Sequence, residues 1–198
     1  MSKNSYTRGS GLLEGFLAKL RADKANKIIS QNLKKGKILD IGCGSYPYFL
    51  IQAKFNEKHG IDPSLKLSEI IDNKLNLQTI DITKTRPPFS DNYFDVVTML
   101  AVFEHIDNDK LIFVLKEIKR VLKKEGLLII TTPAPWADKL LHQMARLGLI
   151  SSEEIHEHKT HYTKSKIEEI LIVSGFKDKK IKSGYFELGF NMWFTAVK

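Results

Sequence analysis

From Gly36 to Pro133 short apolar runs alternate with helix-patterned stretches, and this alternation limits the fold more than any other feature. KILDI (37–41) predicts a buried strand closed by glycines, and a helical stretch follows at about 47–55. KHGID (58–62), LNLQTID (75–81) and YFDVVTML (93–100) read as further strands, with a helix near 64–73 between the first two. DKLIFVLKEIKRVLK (109–123) is an amphipathic helix with Leu111, Leu115, Ile118 and Leu122 inward. Gly126 is expected to break that helix before the buried strand LLIITT (127–132). Strands separated by helices need crossovers, so the sheet is parallel with helices on both faces. Such sheets bind ligands at the carboxyl ends of their strands, near the switch point.

The two ends of the chain are patterned differently. LLHQMARLGLI (140–150) predicts an extra helix, followed by a His-rich stretch at 156–162. Residues 163–174 form another expected helix, stopped by Gly175. FKDKKIK (176–182) and FNMWFTAVK (190–198) read as antiparallel strands joined through GYFELG. The fold class is therefore α/β: a seven-stranded, mostly parallel sheet with an antiparallel C-terminal hairpin. At the other end, Leu12, Leu13, Phe16, Leu17 and Leu20 place an apolar stripe on a helix that extends through Ile28, Ile29 and Leu33. We expect residues 1–35 to form a basic helical cap on a domain of 36–198, with a helical and His-rich insertion at about 136–162.

Charge and composition exclude several classes. Of the net charge of +8, residues 1–36 carry +6, so the rest of the 198-residue chain is near neutral. That disfavours a broad groove tracking nucleic-acid phosphates, and no DNA partner is expected. An anionic substrate, or peripheral contact with a membrane surface through residues 1–36, stays open. A hydrophobic content of 42% rules out disorder. Runs such as LIFVL (111–115) fall far short of the roughly 18 residues a membrane span needs. The opening MSKNSYTRGSG has no apolar signal region, and the single Cys43 excludes an internal disulfide. A cytoplasmic location is the expectation.

The segment ILDIGCGSYPYF (38–49) carries the chemistry: a strand ending in Asp40, then Gly42-Cys43-Gly44, then a helix. Glycines let a ligand lie against bare backbone. A dinucleotide site holds a pyrophosphate and usually has a third glycine, but Pro47 stands at that position. An acid on the strand tip suits a cationic ligand better, which disfavours a nicotinamide-dependent oxidoreductase. Asp62, at the end of the second strand, can accept hydrogen bonds from both ribose hydroxyls. Asp81, at the end of the third, can face an adenine amino group. Three acids beside a glycine loop describe a pocket for a positively charged adenosine.

These segments resemble the class I S-adenosylmethionine-dependent methyltransferases, in the small-molecule branch that includes the ubiquinone-pathway O-methyltransferases. The resemblance covers about 36–198 and rests on ILDIGCG, HGIDPS, IDITKTRPPFSDNYFDVV, LAVFEHI, LKEIKRVLKKEGLLIITTP and HYTKSKIEEILIVSGF, in that order. It implies a Rossmann-like domain with S-adenosylmethionine as cofactor and S-adenosylhomocysteine as product. Asp40, Gly42, Cys43 and Gly44 would line the methionine end, Asp62 the ribose, Asp81 with Ile82 the adenine, and Leu100 the sulfonium. Two departures stand out. Tyr46-Pro47 replaces a loop where the family often has another glycine. Ala101 stands where the ubiquinone-pathway enzymes often place a metal-site acid, so no metal is expected from Glu104 and His105.

The resemblance implies a small-molecule acceptor with an oxygen nucleophile favoured; aromatic, sugar and lipid-linked acceptors all remain open. Methylation of protein or RNA, or cofactor binding without catalysis, are the alternatives. A histidine near neutral pKa can take a proton from a hydroxyl as the methyl moves. His105 ranks first for that role, followed by His158 and His161. His156, His158 and His161 also match a close imidazole spacing, although a solvated loop explains them more simply. The stripe at 12–20 and a second one of Leu140, Leu141, Met144 and Leu147 are ordinary core patterns that could instead form a lid at the cleft mouth.

Overall fold

The computed structural model of the chain describes residues 13–65, 74–137, 143, 146–149 and 162–198. Helix α1 (Glu14–Ile28) and a short α2 (Gln31–Lys34) precede β1 (Lys37–Ile41). Then come α3 (Tyr48–Gln52), β2 (Glu57–Ile61), β3 (Leu75–Gln78) and β4 (Phe94–Leu100). Helix α4 (Asn108–Val121) leads into β5 (Leu122–Pro133), and α5 (Lys164–Val173) into the hairpin of β6 (Ile181–Phe186) and β7 (Asn191–Val197). The sheet has seven strands in the order β3-β2-β1-β4-β5-β7-β6. Strands β1 to β5 are parallel, whereas β7 runs antiparallel to both β5 and β6. The chain leaves β1 toward β2 and later returns to β4 on its other side, so the switch point lies between β1 and β4.

Both faces are covered, which is why the central strands read as nearly continuous apolar runs. On one face Ile38, Val96 and Ile129 pack with Ala22, Ala25 and Ile29 of the α1 segment and with Phe49 and Leu50 of α3. On the other, Leu39, Val97, Leu128 and Phe194 meet α4 through Leu111, Leu115 and Ile118, and α5 through Ile167 and Leu171. Thr163 caps α5 by accepting from the Lys166 amide, and Gly175 at φ 96° ends it as expected. The amino end of the sheet is a closed polar cluster. There Glu57 accepts from Lys37, Tyr93 and His59, and these bonds, Lys37's first, hold its carboxyl down at about 2.

Several boundaries differ from the sequence reading for identifiable reasons. The buried face of α1 is Ala22 and Ala25, continued by Ile29, whereas Phe16 of the leucine stripe is exposed. Small residues let this helix lie close to the sheet. It ends at Ile28, and Ser30 starts α2 by accepting from the Leu33 amide, so there is no single helix through Leu33. Helix α4 stops at Val121, not at Gly126, because Leu122 is drawn into the sheet opposite Phe94. The register then slips between Phe94 and Val96, and Glu125 takes a left-handed φ of 62°. Strand β3 ends at Gln78, which leaves Asp81 in a turn three residues beyond it.

The hairpin also shifts. Residues 178–180 form a 3-10 turn and β6 covers Ile181–Phe186, so the strand takes in the tyrosine and phenylalanine assigned to the connection. Tyr185 and Phe186 favour extended backbone and pair with Met192 and Asn191, while the charged Asp178-Lys179-Lys180 run has nothing apolar to bury. Residues 66–73, most of the 140–150 helix, Leu140, Leu141 and Met144, and His156, His158 and His161 lie outside the described residues. Among the described residues no helix is long and apolar enough to cross a membrane.

Candidate active site

Strand β1 runs straight into the glycine turn at its carboxyl end. Gly42 and Gly44 have φ of 72° and 73°, a region in which side-chain-bearing residues are strained. The two differ in surroundings. A Cβ on Gly42 would come within 2.3 Å of Val102 Cγ2, so a protein side chain closes over that residue. On Gly44 the nearest atom would be the Tyr46 carbonyl oxygen at 3.9 Å, leaving that backbone open to an approaching ligand. The amides of Gly42 and Cys43 donate to the Ile61 carbonyl at 2.8 and 3.3 Å. The Gly44 amide donates to Asp62 Oδ2 at 3.0 Å. The turn is thus pinned to the end of β2. The Cys43 side chain turns into the α1-side core, next to Gly60.

The acids fall on neighbouring strands. Asp40 is buried on β1 opposite Thr98 of β4, whose hydroxyl donates to its Oδ1 at 2.6 Å. Burial pushes the Asp40 carboxyl up to about 7; the Thr98 bond opposes this and the nearby Asp62 charge adds to it. Asp62, 1% exposed, follows β2 and also accepts from the Ser64 amide (2.8 Å) and hydroxyl (2.5 Å). Asp81 is half-buried and accepts from the Thr83 amide and hydroxyl at 3.0 and 2.6 Å, with Lys84 Nζ at 3.1 Å. Burial works to raise its carboxyl, but the Thr83 and Lys84 bonds prevail and hold it below the ordinary value. Ile82 beside it is packed into the α4-side core.

After β4, Leu100 is half-buried and Ala101 takes a φ of 55°, its amide donating to the Thr131 carbonyl at 2.9 Å. Val102 then lies against Gly42, and Phe103–His105 form a 3-10 turn. His105 is half-exposed, whereas Glu104 is buried and its Oε2 has no hydrogen-bond partner among the described residues. A buried carboxylate oxygen without a donor is costly, and such groups gather where a ligand completes them. The turn therefore brings His105 and Glu104 to the carboxyl rim beside the switch point. His158 and His161 cannot be placed, since they lie outside the described residues.

Residues 13–180 match the family described as methyltransferase domain. This chain belongs to that family and is a class I S-adenosylmethionine-dependent methyltransferase. An uncharacterized protein of Methanocaldococcus jannaschii is 29% identical over 88% of this chain and 71% of its own length. A ubiquinone biosynthesis O-methyltransferase of Rickettsia typhi is 27% identical over 84% of this chain and 70% of its own. A methyltransferase structure from Archaeoglobus fulgidus superposes with a TM-score of 0.68 at 19% identity, covering 93% of this chain and 94% of that one. That last likeness concerns the fold.

The residues on the rim of the methyltransferase suit its cofactor: an open Gly44 backbone, a buried Asp40 suited to a cation, a buried Asp62 suited to hydroxyls, and a Glu104 oxygen without a partner among the described residues. In the sequence Glu104 gives no sign of its burial, although it sits next to His105. Glu187, at the tip of the β6–β7 hairpin, is equally unmarked in the sequence. Glu187 Oε2 accepts from Asn191 Nδ2, while Oε1 is buried without a partner. Burial raises the Glu187 carboxyl, against the Asn191 bond and the Arg21 charge. Nothing in GYFELG announces a half-buried acid.

Proposed function

We propose that this methyltransferase methylates a hydroxyl of a small-molecule acceptor, with His105 as the base. The observation that carries the reading is the Phe103–His105 turn. It follows β4, next to β1 across the switch point, and presents a half-exposed histidine beside a buried acid. The name of the Rickettsia typhi relative supports an oxygen acceptor.

S-adenosylmethionine supplies a methyl carbon that its sulfonium already makes electrophilic, so the chain's main task is placement. Gly44 offers open backbone to the methionine end, with Gly42 and Cys43 shaping the turn behind it and Asp40 ionised beside the cationic groups. Asp62 takes the ribose hydroxyls, Asp81 and Ile82 border the adenine, and Leu100 lies toward the sulfonium. Holding acceptor oxygen, methyl carbon and sulfur in line can supply up to about 7–11 kcal/mol of the barrier. His105 accepts the hydroxyl proton as the O–C bond forms and the C–S bond breaks, leaving S-adenosylhomocysteine. A base in this role contributes about 10²–10⁴-fold.

The test is turnover on a panel of catechols and phenols with labelled cofactor. His105→Ala should lower kcat by about 10²-fold or more and leave cofactor affinity unchanged. Full turnover in that variant, or transfer to amines alone, contradicts the proposal.

A further inference from the structure

The β6–β7 turn carries features that the fold does not need. Leu188 has φ 55° and ψ 23°, between Glu187 at φ 53° and Gly189 at φ 92°. Leucine is poorly suited to this conformation, which asparagine, aspartate and glycine accept. Yet Leu188 is 95% exposed, so no packing against the described residues explains its presence. Beside it Trp136 is 56% exposed and leans on Phe190, ring centres 4.7 Å apart, close to Gly189.

The same rim gathers further apolar tips and positive charge. Helix α1 descends from this rim: Lys24 Nζ lies 4.5 Å over the Trp193 ring, and Arg21, one turn earlier, acts on Glu187 in the hairpin turn. Phe16, farther up, is 58% exposed. The Leu13 amide at the helix start donates to the Leu149 carbonyl at 2.8 Å, which brings the exposed Leu147 to the same edge. Lys19, Arg21, Lys24 and Lys27 stand on α1 against Asp23 alone among its described acid side chains, within a segment of net charge +6.

We propose that this rim, led by Leu188, Trp136 and Phe16, seats on an anionic lipid surface. Single apolar side chains on separate tips suit a fluid interface that closes around each of them. The cations on α1 complement acidic headgroups, and tryptophan prefers the headgroup boundary. Seating would turn the carboxyl rim, and with it the cofactor site, toward the bilayer. The proposal stands apart from the methyl-transfer reading, because binding is read without cofactor or acceptor.

The test mixes the full chain with vesicles of phosphatidylcholine alone, or of phosphatidylcholine and phosphatidylglycerol in equal amounts. The protein should sediment with the anionic vesicles at low salt and be released by high salt. In Trp193→Phe, which leaves Trp136 as the one tryptophan, emission should shift to the blue on anionic vesicles. Leu188→Asn should weaken partitioning about tenfold while the Tm is kept or raised, since asparagine tolerates the backbone there. No sedimentation with either vesicle overturns the proposal, as does unchanged partitioning in Leu188→Asn. A lipid-free dimer in sedimentation velocity that Leu188→Asn abolishes would also overturn it, in favour of a second copy of the chain.

Discussion

Two points on the carboxyl rim, the glycine turn after the central strand β1 and the hairpin turn after the edge strand β6, are built on opposite rules. At the first, the left-handed positions belong to Gly42 and Gly44, and their amides reach Ile61 and Asp62. At the second, left-handed backbone falls on Glu187 and Leu188 before Gly189, an oxygen of Glu187 stays unpartnered, and Leu188 points into solvent. Each non-glycine residue in that region costs on the order of 1–3 kcal/mol. The glycine turn is complete in the chain itself and can hold its shape for a cofactor. The hairpin turn carries a backbone cost and a carboxylate oxygen that no contact among the described residues offsets.

The largest expected effect is at Gly42. Alanine there meets Val102 at 2.3 Å as well as a φ of 72°, so Gly42→Ala should lose about 3 kcal/mol or more in denaturant unfolding. Gly44→Ala has only the strained φ to bear and should lose about 1 kcal/mol, yet weaken the cofactor because its methyl fills the open side. Equal losses at the two positions would erase the distinction between a turn closed by protein and one left open.

A middle-sized effect concerns Asp40. Its carboxyl titrates near 7 in the free protein, and a cation beside it favours the ionised form, so the bound pKa is lower. Cofactor affinity should therefore rise as pH increases toward and through 7, by at most about tenfold per unit, and level off above it. For stability the sign is reversed. The folded pKa lies above the ordinary 3.8, so the stabilising contribution is complete below about 4 and is lost as pH rises through about 7. Asp40→Asn should flatten both profiles, seen by calorimetry and by thermal melts across pH. The smallest effect closes the comparison from the other side: Leu188→Asn should raise stability by about 0.5–1 kcal/mol, because it relieves a left-handed leucine. A loss of stability there would show that Leu188 is held by the fold after all.

What the sequence disclosed follows the same division. KILDI was legible as β1 to the residue because both of its faces are buried and Gly42 must follow it. The placement of Asp40 and Asp62 at the ends of two neighbouring strands was legible because the glycines and apolar runs around them mark where those strands stop. Strand β6 was not, because Lys182, Ser183 and Gly184 carry no strand signal and the pairing with β7 decides their conformation. The left-handed run at Glu187 and Leu188 was hidden for a plainer reason: neither residue type prefers that backbone. Glu104 was overlooked as a site residue since burial of its carboxylate is a tertiary fact.

Calorimetry with S-adenosylhomocysteine tests the central claim most directly. The wild-type chain should bind one equivalent, and Asp62→Ala, which strips an acceptor from the Gly44 and Ser64 amides and from the ribose in the proposed complex, should bind at least about tenfold more weakly. A wild-type chain that gives no heat of binding, or a folded Asp62→Ala variant with wild-type affinity, would contradict the account.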